Sequence, residues 1–278
     1  MSVNSRLRVR FERRDSTTVL HVDEQQPPLQ VVRAFPSEDA ETLVHLHNIS
    51  GGILADDQLE VNVCVGPHSR AQITSTGATR IYRSDESSAQ RISMCVGENA
   101  LLEYLPDPLI PYAGSRYSQT TEIELANGAS LFWWEVLTPG RFSAGEVFAY
   151  EKLHIRNVIR AGDRAIAHEN YVLVPAQSML EALARFGPHT HLASFYACRI
   201  GYLPGFWREI ERSLAEIASS LTERNRILWG VSALSADGVA VRGLSATGEE
   251  LAGHLREFWR AAKRLITGHE AVVPRKTL

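Results

Sequence analysis

Between Gln58 and Val65 the chain alternates: Leu59, Val61, Val63 and Val65 are apolar, while Glu60, Asn62 and Cys64 between them are polar or small. A period of two places the apolar set on one face of a β-strand. The stretches TTVLHV, LQVVRAF, TLVHLHN, QRISMCV, ALLEYL, TTEIEL, SLFWWEVL and KLHIRNVI have similar length and β-rich composition. Gly, Pro, Asn, Asp or Ser separates them, as turns require. Strands recurring roughly every ten residues predict stacked sheets or a coiled β architecture. No long helical pattern intervenes, so parallel α/β units are not expected. Asn127-Gly128 suits the positive φ angles of a tight turn and predicts a hairpin between TTEIEL and SLFWWEV.

After Pro175 the period changes. PAQSMLEALARFG predicts a short helix with Pro in its first turn and Gly187 as its stop. In GFWREIERSLAEIASSLTERN, Phe206, Ile210, Leu214, Ile217 and Leu221 recur at helical spacing. A hairpin turning at Asp237-Gly238 follows, then a last helix in GEELAGHLREFWRAAKRLITG. The predicted fold is mainly β: a large multi-stranded stacked-sheet body, β-helix-like or a sandwich, with two principal helices in the C-terminal third. One domain spans 1–278, with the β body over about 1–174, a helix-hairpin-helix portion over about 175–268 and an exposed tail over 269–278.

Composition narrows the function. A formal charge of −3 provides no basic field for nucleic acid or anionic lipid. No segment approaches the ~20 apolar residues that span a bilayer, and the first residues lack the apolar core of a signal peptide. The three cysteines are far apart, odd in number and outside any CxxC spacing. That spacing argues against a disulfide framework or thiolate zinc site and for a reducing, cytoplasmic setting.

Candidate chemistry is sparse. GxSxG, GxGxxG and GxxxxGK[ST] motifs are all absent. His45 and His47 fall on one face of a strand, a spacing that could grip a metal in a cupin-like β-barrel enzyme. The glutamate such a pattern wants shortly after the second histidine is missing, since the next residues are NISGGILADD. His189 and His191 follow a Gly-Pro turn, where exposure and transient metal contact are expected. Asp57, Glu103, Glu135, Glu146 and Glu169 are carboxylates near strand ends or in apolar company, where burial requires a partner or water. Together they could line a wet internal passage or a partner surface. Oxygen and imidazole ligands release a divalent ion more readily than thiolates do, which suits transfer.

Taken in order, SGGILADDQLEV, TSTGATRIYRS, ALLEYLPDPLIPYAGSRYSQTTEIEL, WEVLTPGR and GEVFAY resemble the UreD (UreH) family of urease accessory proteins over roughly a third of the chain. Asp56 stands where the family usually has glycine; aspartate tolerates left-handed backbone, so the turn should survive. The resemblance implies a non-enzymatic maturation factor, an all-β assembly with two helices. It implies binding of apo-urease, UreF and, through the complex, the GTPase UreG. Nickel would be cargo in transit rather than a tightly bound cofactor, moving through a water-filled passage. Asp57 and Glu135 are then the first candidates for that passage, followed by Glu146, Glu169 and Glu103. His45, His47, His189 and His191 would make transient contacts. Phe206 and Trp207 would anchor partners through aromatic surface, with Arg275 and Lys276 in the basic tail.

Overall fold

The computed structural model of the chain describes residues 3–36, 41–177, 179–182 and 185–273. Its strands begin with β1 (Asn4–Arg14), β2 (Thr17–Gln25), β3 (Leu29–Pro36), β4 (Glu41–Asn48), β5 (Gln58–Val65) and β6 (Arg70–Ser75). There follow β7 (Thr79–Ile81), β8 (Ser88–Val96), β9 (Leu101–Leu105), β10 (Leu109–Pro111), β11 (Arg116–Leu125) and β12 (Ser130–Leu137). Next come β13 (Lys152–Ala161), β14 (Arg164–Leu173) and β15 (His191–Arg199). The C-terminal portion adds α1 (Pro204–Leu221), β16 (Ile227–Ala233), β17 (Gly238–Ser245) and α2 (Leu251–Thr267).

These strands form two open sheets among the described residues. The first has seven strands in the order β14-β13-β11-β8-β5-β1-β2. The second, of ten strands, runs β16-β17-β15-β12-β9-β6-β4-β3, with β7 and β10 alongside. From β5 to β12 the chain passes repeatedly from one sheet to the other. Each new strand lies parallel to its predecessor in the same sheet: β5, β8 and β11 in the first, β6, β9 and β12 in the second. The body is therefore β-helix-like, with antiparallel strands added at the edges.

The turns between the sheets are stacked. His68, Asn99 and Gly128 each have positive φ. The His68 amide donates to Glu98 O at 2.9 Å, and the Asn99 amide to Asn127 O at 3.1 Å. Asn127-Gly128 thus makes a tight turn but not the expected hairpin, because β11 and β12 lie in different sheets. A left-handed residue reverses the chain whether the next strand pairs with the last one or packs opposite it. Asp237, with φ of 54°, does close a hairpin, pairing β16 with β17.

The second sheet is buried on both faces. Leu131 and Trp133 of β12 point into the core shared with the first sheet, as do Val9, Val61 and Ile92. Phe132 points the other way, into a second core capped by Trp207, Ile210 and Leu214 of α1 and Phe258 and Trp259 of α2. Fully burying a side chain such as Phe258 is worth about 1.5–3 kcal/mol, which holds the helices on the sheet. Gly268, at φ 75°, ends α2 with its amide on Arg264 O.

Two further expectations need correction. Pro175–Gln177 is a 3-10 turn, and the described residues that follow it to Pro188 form turns rather than a short helix. Cys64 and Cys95 are joined as a disulfide. Their separation of 31 residues hid the fact that one coil of the chain brings them to matched positions on adjacent parallel strands.

Candidate functional site

Between the sheets lies a cavity of about 370 Å³. Its mouth is formed by His47, Gly51, the Thr76–Arg80 segment and Asp107. Gly51 takes φ of 78°, and the neighbouring Gly52 packs so tightly under Arg80 O and the Tyr82 ring that no side chain would fit. The mouth therefore joins SGG to GATRIYR. Tyr104 and Pro106 from LEYLP line the cavity further in, with Gln119 from SQTTEIEL and Glu135 from WEV. Segments from Gly51 to Glu135 thus share one cavity.

Glu135 is, with Asp107, one of the two carboxylates that line it. Gln119 Nε2 donates to Glu135 Oε1 at 2.7 Å, and Asn157 Nδ2 donates to Oε2. Both donors stand on the first sheet and Glu135 on the second. Burial pushes the Glu135 acid up to about 7, against the pull of Asn157, with the charge of Glu169 adding to the rise. The carboxyl is thus poised between neutral and ionised near neutral pH. Next to Glu135 in register come Ser194 and then Arg242, while Asn157 pairs with Glu169 on the facing sheet. Arg242 closes that side by bridging to Glu169 at 2.6 Å, donating to the Tyr196 hydroxyl at 2.9 Å and lying over its ring.

The other candidates are dispersed. Asp57 is buried outside the cavity lining, and its carboxylate accepts from the amides of Val3 at 3.2 Å and Leu54 at 2.8 Å. It holds the turn that Asp56 enters at φ of 59°. Glu146 pairs with Arg141, Nε to Oε2 at 2.9 Å, which keeps its acid below the ordinary range. Glu103 lies on the helix-facing side of the second sheet. There the Lys263 ammonium bonds it and also reaches Glu41 at 3.0 Å, while Gln72 Nε2 donates to it at 3.0 Å. Burial first, then the Glu41 charge, raises Glu103 to about 7.

His47 stands at the mouth, whereas His45 stacks edge-on against Phe35. His189 and His191 are buried rather than exposed. His189 Nδ1 lies 3.0 Å from Phe186 O, and desolvation lowers His191 to about 4. Trp207 is buried under α1, not offered as a surface anchor, while Phe206 packs on Tyr202 with ring centres 4.5 Å apart. Arg275 and Lys276 lie outside the described residues. Among those residues no three His, Cys, Asp or Glu side chains group closely enough to hold an ion. The sheets do not close into a barrel, so the cupin-like enzyme reading of His45 and His47 fails on architecture as well as ligands.

Gln119, Asn157, Ser194 and Arg242 were missed as site residues. In YSQTTEIEL and KLHIRNVI, Gln119 and Asn157 occupy the phase of the apolar positions, which was the available signal.

The fold and cavity define a two-sheet scaffold with an apolar core, a cavity that holds the carboxylates of Asp107 and Glu135, and no three-residue metal cluster among the described residues. Residues 3–277 match the family described as UreD urease accessory protein. The chain is 41% identical to the urease accessory protein UreD of Herpetosiphon aurantiacus over 276 residues, covering 99% of this chain and 96% of that protein. It is 30% identical to UreD 2 of Brucella suis, covering 95% and 88%. The chain belongs to the UreD family, and it is an accessory protein of urease maturation, not a catalyst.

Proposed function

We propose that this chain is a cytoplasmic scaffold that binds apo-urease together with UreF and, through the complex, UreG, and passes nickel toward the urease active site by way of the cavity. One observation carries the reading: four of the separate sequence runs that mark the family, from SGGILADDQLEV to WEVLTPGR, line a single cavity whose carboxylates are Asp107 and Glu135. Asp107 and His47 at the mouth supply oxygen and nitrogen that suit a borderline cation without retaining it. Glu135 accepts the ion by losing a proton, and a carboxyl near 7 makes that exchange nearly balanced at cellular pH. The α1 and α2 face, with Phe206 half-exposed, and the basic tail at Arg275 and Lys276 are the surfaces assigned to UreF.

The test is nickel content in urease purified from cells with and without this chain. The expected result is urease that assembles in both but is nickel-poor when the chain is missing. Equal nickel loading would refute the proposal.

A further inference from the structure

Five strands of the first sheet, β1, β5, β8, β11 and β13, run parallel, yet only one face of them is covered. Parallel sheets are ordinarily covered on both faces. The uncovered face carries a shallow groove of about 500 Å³ with Cys64, Ser93 and Cys95 on its floor. Cys64 is exposed and Cys95 half-buried, and their Cα atoms are 4.8 Å apart. The two are flanked by opposite charges. Arg10 stands beside Cys64 in register on β1, and Glu124 stands beside Cys95 on β11. Arg8 and Arg160 also line the groove.

We infer that Cys64 and Cys95 form a reversible thiol–disulfide site that reacts with small carboxylate-bearing disulfides of the glutathione type, with Cys64 as the entry thiol. Arg10 is itself paired with Asp23 and Glu12, but with Arg8 and Arg160 it outnumbers Glu122 and Glu124 in the groove lining, and that excess favours the thiolate at Cys64 and receives the carboxylates of the reagent. In the oxidising direction the Cys64 thiolate attacks one sulfur of the reagent disulfide, and the first thiolate leaves. The Cys95 thiolate then attacks Cys64 Sγ, expelling the second. The pair loses two electrons to the reagent disulfide, which becomes two thiols, and the two cysteine protons go to those thiols or to solvent. Two such thiols run the steps in reverse.

The consequence reaches the interior. Cys64 and Cys95 tie β5 to β8, and three positions earlier on the same strands Val61 and Ile92 line the cavity. The disulfide on the outer face therefore joins two strands that also form one wall of the cavity. This inference does not depend on the nickel reading.

The purified full-length chain is equilibrated in glutathione buffers from fully reduced to fully oxidised, acid-quenched, alkylated and digested. The expected result is a linked Cys64–Cys95 peptide that appears and disappears reversibly, in a single two-electron transition. Cys198 should remain unlinked throughout, because it is buried and burial raises its thiol. Cys95→Ser should trap glutathione on Cys64, and Cys64→Ser should slow capture at Cys95 at least tenfold. The inference is overturned if the link never forms, if it persists in the most reducing buffer, or if Cys95 captures glutathione as fast as Cys64. The wild-type titration requires no variant to fold.

Discussion

Asn157 on β13 donates its side-chain amide across the gap between the sheets to Glu135 on β12. The same bond links the two sheets and orients a carboxylate that lines the cavity. Polar groups between apolar sheets are costly unless paired, so the contact is selective as well as stabilising.

Replacing Asn157 with leucine should test that bond. It removes one donor and leaves Glu135 Oε2 unsatisfied, at a cost of about 1–3 kcal/mol. Urea unfolding of Asn157→Leu should show that loss, and Asn157→Leu combined with Glu135→Leu should recover part of it. Equal stability of the single variant and wild type would contradict the geometry.

Stability should also carry the signature of Glu135 titrating. Its acid is held at about 7 in the folded chain, above the ordinary 4.5. The folded state therefore keeps a proton that the unfolded chain releases. That stabilisation is complete below pH 4.5 and disappears as pH rises through 7. Relative to Glu135→Gln, the wild type should lose up to about 3 kcal/mol between pH 4.5 and 8. Solvent reaching the carboxyl through the cavity will reduce the figure. Comparing the two proteins cancels His191, whose depressed value acts in the opposite direction. Parallel pH profiles would reject the shift.

Lys263 stands between Glu41 and Glu103, all three nearly sealed from water. Lys263→Met leaves two carboxylates facing each other without a cation and should cost about 3–5 kcal/mol. Adding Glu41→Gln and Glu103→Gln should return much of it, since the loss comes from the uncompensated charges. Thermal unfolding of the single and triple variants measures both effects. Gln72 also donates to Val272 O at 3.1 Å, so the cluster ties down the segment after α2 as well as the helix itself.

Gly77 at the cavity mouth offers a way to block entry without disturbing the core. A Cβ there meets nothing within 4 Å, and its φ is not left-handed. Gly77→Trp should keep wild-type stability within about 0.5 kcal/mol, as an exposed site does. Urease activation should nevertheless fall severalfold, with capture of urease from lysate unchanged. Unaltered activation would place the route elsewhere.

The alternation of Leu59, Val61, Val63 and Val65 made the strands legible, and helical spacing made α1 and α2 legible. Which strands pair was not legible. The turn at Asn127-Gly128 reads the same whether the chain folds back in its own sheet or crosses to the facing one, and only tertiary packing decides. That ambiguity also concealed the Cys64–Cys95 register. Glu135 was visible as a carboxylate in apolar company. Its partners were less so, because a lone Gln119 or Asn157 in an apolar phase reads as an interruption until the facing sheet is known. The exposure expected at His189 and His191 failed because both side chains pack into the described body after the Gly-Pro turn.

Whether cargo passes Glu135 is read from the nickel per active site in urease isolated from cells carrying Glu135→Gln. Glutamine has nearly the same shape, and Asn157 can turn its unpartnered Oδ1 toward the new amide, so the fold and its complexes should survive. A full charge acting over ~4 Å is worth about 1–4 kcal/mol between aqueous and protein-surface dielectrics. Nickel loading should fall about tenfold while the variant still co-purifies with urease. Wild-type nickel content with Glu135→Gln would show that the ion does not pass this carboxylate.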